Sequence, residues 1–129
     1  MVPEFLNASE HMKGWGKEIW IVNNNKYCGK ILEFNNMKKF SMHYHYNKDE
    51  TWYVLSGDFT FRYIDGTNAN VISRSLSIGD VIRILPGCCH QLECTSDTGG
   101  KILEISTQHF EEDSYRVMGG DSQPNIIRK

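Results

Sequence analysis

Nine short runs rich in Ile, Val, Tyr, Phe and Trp recur along this chain at about ten-residue spacing. They cover residues 18–22, 30–34, 40–46, 51–55, 59–64, 71–75, 81–85, 91–94 and 101–107. Turn-forming residues punctuate them, among them Asn35-Asn36, Ser56-Gly57-Asp58, Asp65-Gly66, Gly79-Asp80, Pro86-Gly87 and Gly99-Gly100. Strands this short and this regularly interrupted bury their apolar sides only against a second sheet or by closing on themselves. An antiparallel sandwich or barrel follows, an all-β fold. No window sustains the i, i+3, i+4, i+7 pattern beyond two turns, so no long helix is expected, and residues 110–115 have room for a single helical turn.

The apolar share of 40% in 129 residues supplies one core, hence one domain. Residues 1–13 read as an N-terminal extension, 14–118 as the domain, and 119–129 as a polar tail: a surface strap or a partly disordered end. Fourteen Lys+Arg against sixteen Asp+Glu leave a net charge of −2, the wrong sign for a nucleic-acid binder. No apolar stretch approaches the roughly 18 residues of a membrane span. The start, MVPEFLNASE, lacks a basic-then-apolar leader pattern, so a cytoplasmic protein is expected. Cys28, Cys88, Cys89 and Cys94 form no CxxC pair and are expected to be reduced thiols.

The histidines are the chemical signal. In Ser41-Met42-His43-Tyr44-His45-Tyr46 two of them stand two apart in a strand pattern, so both imidazoles point to one face. Asn47-Lys48-Asp49 then turns the chain, and Glu50 opens the next strand, which an antiparallel partner brings back beside the histidines. His90 follows the tight turn Leu85-Pro86-Gly87-Cys88-Cys89. Three neutral imidazoles and one carboxylate suit one divalent ion such as zinc, iron, manganese, cobalt or nickel. His11 and His109, each alone, read as packed or surface residues.

With these residues in view the chain resembles a known family. HYHYNKDETWYVLSG is similar to the first cupin motif and GDVIRILPGCCH to the second. The resemblance implies a double-stranded β-helix (jelly-roll) barrel holding a metal through His43, His45, Glu50 and His90. One departure is Cys94, where the second motif commonly has a non-ligating Asn. Gly14-Trp15-Gly16, Glu50 to Gly57, Leu85 to Glu93, and Leu103-Glu104-Ile105-Ser106 through Glu111-Glu112-Asp113 follow in order. This series resembles the mannose-6-phosphate isomerase cupin domain often fused to a guanylyltransferase. Typical members carry Gln where His43 stands, a change that keeps a metal ligand, and Arg where Gln91 stands, so this chain lacks a cation that could hold a phosphate.

The resemblance implies aldose–ketose isomerisation of a sugar or sugar phosphate. That chemistry needs a Lewis acid to polarise the carbonyl and a base to move a proton between two carbons. Glu104, Glu93 and Lys30 are the candidate acid–base groups if their strands point them inward. Lys30, Arg62, Arg74 and Arg83 are the candidate phosphate cations. Trp52, Tyr53, Phe59, Phe61 and Tyr63 read as barrel wall. Two other functions use the same ligands: an iron-dependent dioxygenase, and a non-catalytic metal-containing module that binds a sugar or other small molecule. Exposed sheet edges in a domain this small favour a homodimer, with residues 15–22 as an exchanged strand.

Overall fold

The computed structural model describes residues 1–123, which form eleven strands and no helix. One sheet has six strands: β1 (Ser9–Lys13), β2 (Gly16–Asn23), β3 (Cys28–Phe34), β10 (Gly100–Ser106), β5 (Glu50–Ser56) and β8 (Val81–Ile84), in that spatial order. The other has five: β11 (Tyr115–Met118), β4 (Met42–Tyr44), β9 (His90–Cys94), β6 (Phe59–Ile64) and β7 (Val71–Leu76). All pairings are antiparallel, and strands far apart in sequence lie side by side, as β3 and β10 do. This is the expected jelly roll.

Alternation decides what each strand buries. In β3 the residues Cys28, Lys30, Leu32 and Phe34 are buried while those between are half-exposed. β10 faces it with Ile102 opposite Leu32 and Glu104 opposite Lys30. The apolar members of these rows meet Phe59, Phe61, Leu92 and Cys94 of the second sheet in one core. Burying each large side chain contributes about 1.5–3 kcal/mol. Gly57 turns β5 into β6 at φ 86°, and a Cβ there would run into the Gly99 backbone, so only glycine fits.

Four expectations change. Residues 110–115 hold no helical turn: the Asp113 amide donates to the Phe110 carbonyl in a single tight turn, and Tyr115 already opens β11. β1 and β11 were not anticipated, because SEHMK and YRVM lack the apolar run of a half-buried strand. The 40–46 run keeps only Met42–Tyr44 as strand. Residues 15–22 do not lie at a sheet edge of this chain. Trp15 lies in the core, and β2 is paired on one side with β1 and on the other with β3, leaving no free edge.

In the tail, the Ser122 hydroxyl accepts from the Gly14 amide and the Asp121 carboxylate from the Lys39 amide, strapping residues 120–123 across the barrel mouth. Residues 124–129, the remainder of that tail, lie outside the described residues. All four cysteines are free thiols. No helix of the described residues is long and apolar enough to cross a membrane.

Candidate metal centre

His43, His45 and His90 meet at one end of the barrel interior, a ring nitrogen of each within 4.8 Å of the others. His43 and His90 are direct partners across the β4–β9 ladder. His45 sits just past β4, yet its ring centroid lies 4.9 Å from that of His43. Glu50, at the first position of β5, completes the group from the opposite sheet. Its Oε2 lies 3.3 Å from His45 Nε2 and 3.8 Å from His90 Nε2. The structure thus brings together all four residues that the sequence grouped.

The orientation of each side chain is set by a second partner. Nδ1 of His43 faces the Ser41 carbonyl at 2.7 Å, that of His45 the Asp113 carbonyl at 2.6 Å, and that of His90 the Cys88 carbonyl at 2.9 Å. A carbonyl oxygen only accepts, so each Nδ1 carries the proton and each Nε2 keeps its lone pair. Trp52 Nε1–H donates to Glu50 Oε1 at 2.8 Å, which aims Oε2 at the histidines. Glu50 Oε2 and His90 Nε2 are buried without any hydrogen-bond partner. Two orphaned acceptors in one gap are unfavourable unless a cation lies between them.

The electrostatics agree. Burial, reinforced by His90 and His45, holds His43 well below the ordinary imidazole range. Burial also lowers His45, and it lowers His90 to about 4. All three are neutral, the form that ligates a metal. Burial and the neighbouring Glu104 push the Glu50 carboxyl up to about 8, the state of a carboxylate that lacks a countercharge. The donor set fits one divalent ion of the zinc, manganese, iron, cobalt or nickel type.

A polar cavity of about 180 Å³ opens from this cluster. Glu104 and Lys30 line it, directly opposite each other across β10 and β3. Lys30, 1% exposed, is 3.2 Å from Glu18 Oε1 and lies 4.4 Å over the Trp20 ring. Glu104 accepts from Lys48 Nζ at 3.2 Å and from the Ser106 hydroxyl at 3.3 Å. Burial opposes its charge, but Lys48 and Lys30 outweigh burial and hold the carboxyl down to about 2.

Glu93 does not reach this cavity: it follows Leu92 on the outward side of β9 and pairs with Arg62 at 2.8 Å. Gln91 shares that side, is buried, and donates to the Phe40 carbonyl; it does not line the cavity. Arg83 pairs with Asp49 at 2.7 Å, and Arg74 is exposed on β7; neither lines the cavity. Trp52, Phe59 and Phe61 are core, Tyr63 packs on its margin, and Tyr53 faces outward at 41% exposure.

Sequence reasoning missed Lys48, Asp113, His109 and Arg116. Lys48 stands in a turn-like Asn-Lys-Asp, with no local signal that it is 3% exposed. The Asp113 carboxylate accepts from the amides of Tyr46, Asn47 and Lys48, fixing the loop that carries His45.

The cupin domain family model matches residues 31–106. Among solved structures the chain is similar to CapF, the capsular polysaccharide assembling protein of Staphylococcus aureus, at 18% identity and TM-score 0.78, covering 88% of this chain and 33% of that one. CapF with the inhibitor 3-isopropenyl-tropolone gives 18% identity and TM-score 0.76 over 87% and 34% of the two chains. Oxalate decarboxylase of Bacillus subtilis gives 13% and 0.75 over 86% and 30%. The chain therefore spans about a third of the length of these proteins, and identities this low show a shared fold alone. No curated protein matches the chain. The family match covers more than half of the residues and both histidine segments, and the chain belongs to the cupin domain family.

Proposed function

We propose that this chain is a metal-dependent cupin that interconverts an aldose and its ketose, with a sugar or sugar phosphate as substrate. His43, His45, Glu50 and His90 are the residues that would hold the ion. Oxalate decarboxylase, similar in fold, has Mn(II) centres, which supports a metal in this place. The bound ion would polarise the substrate's carbonyl and adjacent hydroxyl.

The observation that carries the reading is Glu104. It is a buried carboxylate, kept ionised by Lys48 and Lys30, on the wall of the same cavity and facing Glu50. In that state it can take the proton from the hydroxyl-bearing carbon and return it to the neighbouring one. A substrate oxygen that draws Lys48 away raises the basicity of Glu104 at the moment of transfer. Lys30, anchored by Glu18 and Trp20, is placed to hold a substrate hydroxyl beside it. A cavity walled by ionic groups suits a polyhydroxylated molecule and disfavours an apolar one. The resemblance of the motif series to mannose-6-phosphate isomerase cupins supports the same reaction class.

The test is metal-loaded protein in D₂O with mannose 6-phosphate and the parent aldoses. Ketose should form, and deuterium should enter the substrate at the exchanged carbon. E104Q should lose at least about a hundredfold of this rate while its metal content stays the same. Absence of ketose and of exchange with every substrate rejects the isomerase. Oxygen uptake by iron-loaded protein would assign a dioxygenase, and saturable sugar binding without turnover a binding module.

The expected homodimer has a ready surface. On the outer face of the six-stranded sheet, Ile19, Ile31, Leu103, Tyr53 and Val81 lie side by side across five strands. Light scattering that shows only a 14.9 kDa species removes the dimer.

A further inference from the structure

We propose that Arg116 and Lys13 form an oxyanion-binding rim on the cavity, so that the substrate carries a phosphate or carboxylate group. This names the holder of a charged group within the site proposed above, and it rests on that reading only in placing the substrate there. The cations anticipated for this task are occupied or elsewhere. Lys30 is tied to Glu18, Arg62 to Glu93 and Arg83 to Asp49, and Arg74 lies outside the cavity.

Arg116 and Lys13 differ from these. Both line the cavity, and among the described residues neither makes an ion pair. Arg116 is the direct partner of His43 across the β11–β4 ladder, so the two side chains project from the same face about 4.5–5.5 Å apart at their Cβ atoms. Lys13 comes from the other sheet. It shares a face of β1 with His11, which stacks on Trp20 at 3.9 Å, and it is close enough to Glu18 to help hold that carboxyl below its usual range.

Charge over the whole lining points the same way. Four cations, Lys13, Lys30, Lys48 and Arg116, face four acids, Glu18, Glu50, Glu104 and Glu111. Lys30–Glu18 and Lys48–Glu104 are closed pairs. His109 is uncharged, lowered to about 4 by burial with help from Lys48 and Lys30. Once a divalent ion sits against Glu50, the lining carries surplus positive charge, concentrated on the two unpaired rim cations and the ion. An anionic ligand restores neutrality. The fork of Arg116 suits two oxygens of one oxyanion, and Lys13 adds a point charge from the opposite wall.

The experiment uses the full chain, metal-free and metal-loaded, titrated with inorganic phosphate and in a separate arm with acetate. Metal-free wild type should bind phosphate saturably, and the double variant K13Q/R116Q should bind it at least about tenfold more weakly. R74Q should match wild type, and melting temperatures should show that all three proteins are folded. Tighter binding of acetate with the same dependence on Arg116 assigns a carboxylate. Failure of both anions to bind saturably, or binding untouched in K13Q/R116Q, overturns the rim. In turnover assays R116Q should raise KM for an aldose phosphate and leave that for the neutral aldose unchanged. Arg116-dependent anion binding without any ketose sinks the isomerase and leaves the rim standing. Ketose formation with phosphate binding absent does the reverse.

Discussion

The two ends of the barrel interior are made by the same strands and do opposite work. At one end β3 contributes Leu32 and Phe34, β10 Ile102, β5 Val54 and β9 Leu92 and Cys94, all nearly free of solvent. At the other end those strands contribute Lys30, Glu104 and Ser106, Glu50, and His90, equally buried. Each inward row thus passes from apolar to polar or ionisable along the barrel, β3 and β10 at the Lys30–Glu104 pair and β5 one inward step later, at Glu50 opposite Ser106. The apolar end follows the ordinary logic of a core, where each methylene removed from water adds stability. The ionic end takes charges out of water and recovers that expense only through close pairing.

The largest expected effect comes from unbalancing the ionic end. Lys48→Met leaves Glu104 buried without its 3.2 Å partner and should cost about 3–5 kcal/mol in denaturant unfolding. K48M/E104L removes both charges, and most of that loss should return. A double variant as unstable as the single one would show that the pair is not the reason for the loss. At the apolar end, Leu92→Ala or Ile102→Ala should cost about 2–5 kcal/mol by leaving a cavity. Metal stoichiometry in these variants should be unchanged. Loss of metal there would show that the two ends are coupled.

Acid should separate the ends next. His109 lies against Trp20 and Glu111, with Lys30 and Lys48 close by. Its folded value is about 4 against about 6.5 in the unfolded chain. Above pH 6.5 it is neutral in both states and contributes nothing. Between pH 6.5 and 4 the unfolded chain takes the proton first, so stability falls as pH falls. In H109Q this part of the acid loss should vanish from the metal-free protein's unfolding curve, whereas L92A should keep the wild-type pH slope. An unchanged slope in H109Q would place the acid sensitivity in other groups.

Much of this division was legible in the residues. The strand runs fixed nine of the eleven strands, because a half-buried strand writes its alternation into the sequence. The spacing His43-x-His45 worked even though β4 ends at Tyr44, since His45 is held by the Asp113 carbonyl rather than by strand pairing. Glu93 could have been set aside from parity alone: with His90 inward, Leu92 and Cys94 follow inward and Glu93 does not. Lys48 and Arg116 were not legible. A lysine in an Asn-Lys-Asp turn reads as solvated, and only the fold brings Glu104 to it from 56 residues away. Arg116 sits on an edge strand whose partner, β4, is short and irregular, so no periodicity announces it.

The smallest effect we expect sits where the ionic end is built rather than where it acts. Asp113 reaches the histidine cluster through two separate parts of itself. Its carbonyl accepts from His45, and its carboxylate gathers three successive loop amides. Asp113→Asn keeps the carbonyl and the shape but replaces one acceptor oxygen with a donor that faces those amides. The loop should loosen without unfolding, and His45 should lose its fixed aim. Partners of this kind typically tune metal affinity by about 10–100-fold, so chelator competition should show a loss of that size. The apolar end should not register the change, and L92A/D113N should lose stability by nearly the sum of the single variants. Wild-type affinity in D113N would mean that His45 is aimed by the barrel wall alone, and that the ionic end is as self-supporting as the core beside it.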